Sequence, residues 1–141
     1  MIKKAEYLNV DLVIIGGGGA GLAAALAAAE NGCKSITVLE KAGSPAGSTA
    51  MAHDVFGAES PVQKWLGVDA RRDDLFNKIN EHMEALDNEE NPIPGLYAAG
   101  ATTGCCETES YCYHLTGHLL GFALNSGRIA GKNAVTYISK L

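Results

Sequence analysis

The feature that most constrains the fold is a glycine-rich turn between an apolar stretch and an alanine-rich one. Residues 10–21 read V-D-L-V-I-I-G-G-G-G-A-G, in which Gly16, Gly18 and Gly21 have the spacing G-x-G-x-x-G. A second apolar stretch, 35–39, then ends at Glu40. A strand, glycines, a helix, a strand and an acid in this order predict a βαβ unit that binds a dinucleotide. A glycine-rich turn that binds nothing is the alternative.

Each part of this pattern has a physical role. Gly16 allows the tight turn off the first strand, Gly18 has no Cβ to keep a pyrophosphate from the backbone, and Gly21 lets the helix pack closely. The start of the helix offers free N–H groups and the positive end of its dipole to phosphates. Glu40 can accept hydrogen bonds from a pair of ribose hydroxyls.

The composition is that of an ordinary globular domain. The 141 residues are 47% hydrophobic with a net charge of −5, which argues against a non-specific nucleic-acid surface. No apolar run approaches the ~18 residues of a membrane span, and the N-terminus M-I-K-K-A-E-Y lacks the apolar stretch of a signal peptide. We therefore expect a soluble, cytoplasmic protein whose four cysteines are reduced thiols.

The pattern of apolar residues predicts a small α/β domain with a Rossmann-like, three-stranded parallel sheet flanked by helices. We expect one domain over residues 1–141, with a βαβ portion (1–86) and a C-terminal portion (92–141). Gly127 and Gly131, one turn apart, predict a close contact of the last helix with the sheet or the cofactor. The predicted strands are 35–39, 9–15 and 96–99, in that spatial order, and the predicted helices are 22–31, 59–65, 69–86 and 117–138.

The second half of the chain carries a resemblance. Residues 91–104 read N-P-I-P-G-L-Y-A-A-G-A-T-T-G, and residues 117–134 read G-H-L-L-G-F-A-L-N-S-G-R-I-A-G-K-N-A. With the glycine turn and V-L-E-K-A, these segments resemble the flavoprotein family of fumarate reductases, succinate dehydrogenases and related FAD-dependent reductases. In that family I-P-G-L-Y-A-A-G returns the chain to FAD, and the following helix points its N-terminal amides at the flavin.

The resemblance implies that FAD is the cofactor and assigns contacts to it. The glycine turn would contact the pyrophosphate, the acid after the second strand the adenosine ribose, and the later motifs the phosphates, the ribityl chain and the flavin. The implied cofactor-binding residues are Gly16, Gly18, Gly19, Ala20, Gly21, Glu40, Lys41, Ser48, Thr49, Gly100, Ala101, Gly117, His118, Leu119 and Leu120.

The chain also departs from the family pattern. Ala101 stands where the family usually has Glu, His118 stands where Asn is common, and residues 45–48, P-A-G-S, lack the usual paired glycine. Only residues 87–91 lie between the predicted amphipathic helix and the return motif, where family members carry a capping domain and more of the FAD domain. The Arg and His residues that act on substrate in the family lie mainly there, so no catalytic residue is assigned.

These observations leave three functional hypotheses. The first is the FAD-binding domain of a fumarate-reductase-type oxidoreductase, truncated and with little turnover of its own. The second is a non-enzymatic module that binds FAD or an adenine dinucleotide for a partner subunit, and the third is a structural remnant without cofactor. A homodimer or a partner subunit could cover the edges and apolar face of so small a sheet.

A metal site is the alternative use of the cysteine-rich loop. Adjacent cysteines are poor partners for one tetrahedral ion, and no C-x-x-C spacing occurs. We therefore expect free thiols at Cys105, Cys106 and Cys112, and no metal bound by these residues or by His114 and His118.

Overall fold

The computed structural model describes residues 7–52, 65–67, 82–103 and 117–141. Two long helices, four short strands and two 3-10 turns make up this part of the chain. In chain order they are β1 (Leu12–Ile15), α1 (Gly19–Glu30), β2 (Ile36–Leu39), a 3-10 turn (Gly47–Met51), β3 (Glu84–Leu86), β4 (Pro92–Tyr97), a second 3-10 turn (Ala101–Thr103) and α2 (His118–Ile138).

The N-terminal half forms the predicted βαβ unit. β1 and β2 pair in parallel, with Leu12 opposite Ile36 and Ile15 opposite Leu39. The Gly16 N–H extends the pairing by donating to the Leu39 carbonyl at 2.8 Å. Parallel strands require a crossover connection, and α1 supplies it. The helix begins at Gly19, inside the glycine turn, whereas the sequence predicted residue 22.

The predicted three-stranded parallel sheet is wrong. In the described residues there are two separate two-stranded sheets, and β4 pairs with β3, antiparallel, instead of with β1. The predicted helix 69–86 is also wrong at its end, because Glu84–Leu86 is a strand and Met83 has a left-handed φ of 58°. Residues 68–81, the rest of that prediction, lie outside the described residues, as does 53–64, which holds nearly all of the predicted helix 59–65.

A tight turn explains why the hairpin forms. The Asp87 carboxylate accepts the N–H groups of Glu89 and Asn91 at 2.8 and 2.9 Å, and its own N–H donates to the Asn91 carbonyl at 2.9 Å. These bonds hold the pKa of Asp87 below its usual value. Closing so short a loop costs less chain entropy than bringing β4 to the distant β1, which favours the local partner.

The core is a contact between the two helices. A Cβ at Gly127 would overlap the Ala20 carbonyl and lie 3.0 Å from the Ala20 Cα, and one at Gly131 would lie equally close to Ala24. The backbones therefore touch at two points one helical turn apart. The buried side chains around them are mainly small: Ala23, Ala24, Ala27, Ala28, Phe122, Ser126, Ile129, Ala130 and Ala134. The close contact predicted for these glycines is made with α1 instead of the sheet.

The hairpin packs against the outer part of α2. Met83 forms a buried cluster with Ile129 and Ala130, flanked by Tyr97. The Tyr97 hydroxyl donates to the Asn133 carbonyl at 3.2 Å, and the Asn133 side-chain amide donates to the His82 carbonyl at 3.0 Å. Burial is the largest cause that raises the pKa of Tyr97. The start of β3 and the end of β4, which are paired with each other, are thus both attached to α2.

Among the described residues β1 pairs on one side only, and two of its apolar side chains are exposed. Ile15 is 87% exposed and Val13 is about half exposed, although both are apolar strand residues. Across the described ranges, neither helix has the length and apolar character that crossing a bilayer requires.

The helix contact predicts that Gly→Ala substitutions in α2 destabilise the protein, although such substitutions usually stabilise a helix. Gly→Ala in an exposed helix interior stabilises by about 1 kcal/mol. Because the added methyl would meet the backbone of α1, we expect Gly127→Ala and Gly131→Ala to lower the free energy of unfolding by about 1–3 kcal/mol. Urea unfolding followed by circular dichroism measures this.

Asn125→Ala is the matched control, since Asn125 is exposed on the same helix. We expect it to change stability by less than about 0.5 kcal/mol. A higher unfolding midpoint for Gly127→Ala would contradict the helix contact.

Candidate functional site

A cavity of about 750 Å³ lies between the glycine turn, β1, β4 and the N-terminal ends of both helices. Its volume is in the range of roughly 300–1,000 Å³ typical of small-molecule and cofactor sites. Most of the residues predicted to bind a cofactor line it, and they come from four separate segments. They are Gly16, Gly18, Gly19, Ala20, Gly21, Ser48, Thr49, Gly100, Ala101, Leu119 and Leu120.

Three of the predicted residues do not line the cavity, and the side chain of a fourth, His118, lies outside the described part of the structure. Glu40 and Lys41 follow the end of β2 and do not line the cavity. Gly117 is buried at the N-terminal cap of α2, and His118 is the first residue of that helix, with a side chain outside the described part of the structure.

The glycine turn is tight on one side and open on the other. A Cβ at Gly21 would overlap the Gly16 carbonyl, so only glycine permits this approach of α1 to the turn. At Gly18 the nearest atom to an added Cβ is the Ala46 carbonyl at 3.8 Å, and its φ of −77° suits any residue. Gly18 is therefore not required by packing within the protein, which leaves a ligand as the reason for a glycine there.

Backbone N–H groups at the start of α1 face this cavity. The first intrahelical bond runs from the Leu22 N–H to the Gly18 carbonyl at 2.9 Å, so the three preceding N–H groups have no acceptor within the helix. The Thr49 Oγ1 accepts one of them, from Gly19, at 2.9 Å. The N–H groups of Ala20 and Gly21 remain as donors for an anion at the cavity wall.

The start of α2 brings a second set of donors to the same place. Gly117 caps the helix with a left-handed φ of 78°, and the first helical bond runs from the Gly121 N–H to the Gly117 carbonyl at 3.0 Å. The N–H groups of Leu119 and Leu120 precede that bond. A Cβ at Gly19 would lie 3.5 Å from the Leu120 side chain, so the two helix N-termini are adjacent. Their positive dipole ends make the cavity favourable for negative charge.

Glu40 connects the end of β2 to the glycine turn. Its Oε2 accepts the Gly17 N–H at 2.6 Å, and its Oε1 accepts the Ala42 N–H at 2.8 Å. The bonds from Ala42 and Gly17, with a smaller contribution from the Lys41 charge, lower the pKa of Glu40. An ionised carboxylate has about four acceptor positions, so both oxygens can still accept hydroxyl groups. Its role in holding the turn was not predicted from the sequence.

Ser126 is a second residue that the sequence analysis missed. It is fully buried in α2, and its Oγ accepts the Gly100 N–H at 2.9 Å. Phe122, Ser126 and Ala130 recur at the four-residue spacing of one helix face. A polar serine on that otherwise apolar helix face was the sequence signal that could have identified Ser126.

Segment 46–49 lies against the glycine turn. Ala46 pairs with Gly18 as an isolated parallel bridge and has a φ of 141°, in the region that favours glycine. Ala46 therefore has a backbone conformation that favours glycine, in the segment where the sequence lacks the paired glycine of the family.

No metal-binding group of His, Cys, Asp or Glu is found among the described residues. Cys105, Cys106, Cys112 and His114 lie outside them.

Comparison with known proteins identifies the family. The family described as FAD binding domain matches residues 11–76 and 77–117, more than half of the chain. Vinyl phenol reductase of Lactiplantibacillus plantarum is 37% identical over 60 residues, which are 43% of this chain and 12% of that protein. Urocanate reductase of Eggerthella lenta is 40% identical over 78 residues, 55% of this chain and 12% of that protein.

The chain thus spans a small part of these two relatives, and no solved structure matches it. The resemblance to FAD-dependent reductases is confirmed, with FAD as the cofactor. Because the family match covers more than half of its length, the chain belongs to the family of FAD binding domains.

Proposed function

We propose that this chain is the FAD-binding domain of a flavin-dependent reductase of the fumarate reductase type, and that it binds FAD with little turnover of its own. The observation that carries the proposal is the meeting of two helix N-termini and the turn after β4 at one cavity. Both matched relatives are named reductases, which supports the reaction class. The substrate stays open, since the chain spans 12% of each.

The glycine turn fits a pyrophosphate. The N–H groups of Ala20 and Gly21 would donate to phosphate oxygens, and the open space at Gly18 would admit the phosphates to the backbone. Gly16 and Gly19 would shape this wall, and the Thr49 hydroxyl, with Ser48 beside it, would lie at its rim. The dipole of α1 would stabilise the two negative charges without a basic side chain.

The adenosine ribose fits at Glu40. Its carboxylate is held in place by Gly17 and Ala42 and is ionised at neutral pH, so it is a preformed acceptor for the ribose hydroxyls. Lys41 follows it on the exposed surface, where it would face solvent near the adenosine.

The second half of the chain would hold the ribityl chain and the flavin. Gly100 and Ala101 line the cavity opposite the glycine turn and would contact the ribityl–phosphate region. The N–H groups of Leu119 and Leu120 would donate to the flavin and stabilise negative charge on its reduced form. Bound FAD supplies the hydride chemistry itself.

The lining of the cavity supports low turnover by this chain alone. Among the described residues, no Arg, Lys, His, Asp or Glu lines it. Reduction of a polarised alkene needs a proton donor and groups that hold the substrate. These groups would come from outside the described residues or from another chain.

The same observation favours the second candidate, a module that holds FAD or an adenine dinucleotide for a partner subunit. Among the described residues β1 pairs on one side only, and its apolar Val13 and Ile15 side chains are exposed. A second copy or a partner could cover this part of the sheet together with the cavity that both side chains line. A colourless protein that does not take up FAD would instead indicate a structural remnant.

Uptake of FAD by the wild type is the direct test. We expect flavin absorption that survives desalting after incubation with FAD. Gly18→Ala should fold as stably as the wild type, because its methyl meets nothing closer than 3.8 Å, and should bind FAD at least roughly tenfold more weakly, because the methyl occupies the phosphate approach. Quenching of flavin fluorescence gives both dissociation constants.

Gly43→Ala is the matched control, since a Cβ there meets no atom of the described residues within 4 Å and its φ is not positive. It should bind FAD like the wild type. Equal affinity of Gly18→Ala and the wild type would place the pyrophosphate elsewhere, and a wild type without affinity for FAD would overturn the proposal.

Acid stability tests the arrangement at Glu40. Its pKa is lowered from 4.5 on folding, so its contribution to stability is present above that value and is lost as the pH falls through the folded-state pKa. We expect Glu40→Gln to weaken FAD binding and to reduce the loss of stability in acid. Urea midpoints measured at neutral pH and below 4.5 report this.

Glu89→Gln removes a carboxylate elsewhere on the exposed surface and should leave FAD binding unchanged. The role of Glu40 would be contradicted if both variants showed the acid profile of the wild type.

A further inference from the structure

Ser126 is buried where an apolar residue would be expected. Its side chain is fully buried in α2, next to Gly127, where the helix backbones touch. Its Oγ donates to the Ala123 carbonyl at 3.3 Å and accepts the Gly100 N–H at 2.9 Å. Donation to Ala123 fixes the hydroxyl hydrogen within the helix and leaves an oxygen lone pair for Gly100.

Gly100 lies at the point where β4 leads into the cavity. Its φ is 80°, and a Cβ there would lie 2.9 Å from the Ala20 Cβ. It is therefore enclosed between the start of α1 and the Ser126 side chain. Its neighbours Ala101 and Thr102 line the cavity, as Gly100 does itself. A shift of Gly100 would move this wall relative to the glycine turn.

Size and polarity together select serine at position 126. The side chain at position 126 is fully buried, so a larger one would have to displace packed neighbours, and a buried Gly100 N–H without an acceptor would be costly. Alanine would satisfy the first requirement and fail the second. A hydroxyl on one carbon meets both.

We propose that Ser126 is a positioning residue of the FAD site: its hydroxyl fixes the turn at Gly100 against the start of α1 and thereby sets the affinity for FAD. It does so without lining the cavity itself. The inference rests on the proposed FAD binding and adds a residue outside the set that would touch the cofactor.

The test compares Ser126→Ala with Ile129→Val in the full chain. Ile129 is buried on the same helix but packs against Met83 of the hairpin and does not line the cavity. Both variants should lower stability. We expect only Ser126→Ala to weaken FAD binding, by roughly tenfold, the effect of one lost hydrogen bond. In the FAD-free protein, the Gly100 amide should exchange with solvent faster in Ser126→Ala than in Ile129→Val, as measured by NMR.

Ser126→Cys gives the result if the alanine variant does not fold. Its thiol is of similar size but is a weak acceptor, so we expect a folded protein with FAD affinity reduced relative to the wild type. The inference is overturned if Ser126→Ala binds FAD as tightly as Ile129→Val, or if Ser126→Cys equals the wild type. If the wild type does not bind FAD, the proposed function is overturned together with this inference. If the wild type binds FAD and the Ser126 variants bind it equally well, only this inference is overturned.

Discussion

The close approach of α1 and α2 is the constraint on which the rest of the structure depends. Gly127 and Gly131 bring the backbone of α2 against Ala20 and Ala24, which lie in the first half of α1. Because the contact is between backbones, the distance between the helices has little freedom to change, whereas a contact between long side chains could adjust. The backbone contact also fixes where α2 begins relative to the glycine turn, and so places both N-termini at one cavity.

The site that results is built from backbone groups more than from side chains. Its donors are N–H groups of two first turns, and more than half of its lining residues are glycine or alanine, with apolar side chains of β1, β4 and the start of α2 among the rest. Three side chains contribute indirectly, because each accepts a hydrogen bond from a backbone N–H group: Glu40 from Gly17, Thr49 from Gly19, and Ser126 from Gly100. Such a site can bind a large anionic cofactor with no cationic residue in the wall, because helix dipoles supply the positive potential.

The hairpin shows how local and distant pairing compete. The sequence predicted a short parallel strand over 96–99, beside β1. The turn at Asp87 instead gives it a partner a few residues away, and contacts of Met83 and Tyr97 with α2 hold that arrangement. The edge of β1 is left exposed as a consequence.

The sequence alone determined the βαβ unit and the span of the last helix, because apolar periodicity and glycine spacing are local properties that survive without knowledge of contacts. Its quoted motifs also carried the resemblance to the family. Most of the cofactor residues that it indicated line the cavity, since the motifs that carry them are contiguous. Only the tertiary structure decided that Gly127 and Gly131 face α1 and that β4 pairs with β3. The same holds for the burial of Ser126 behind Gly100. Each of these three contacts depends on which element packs against the residue in question. The local sequence is compatible with several partners, and the packing of the whole chain selects one of them.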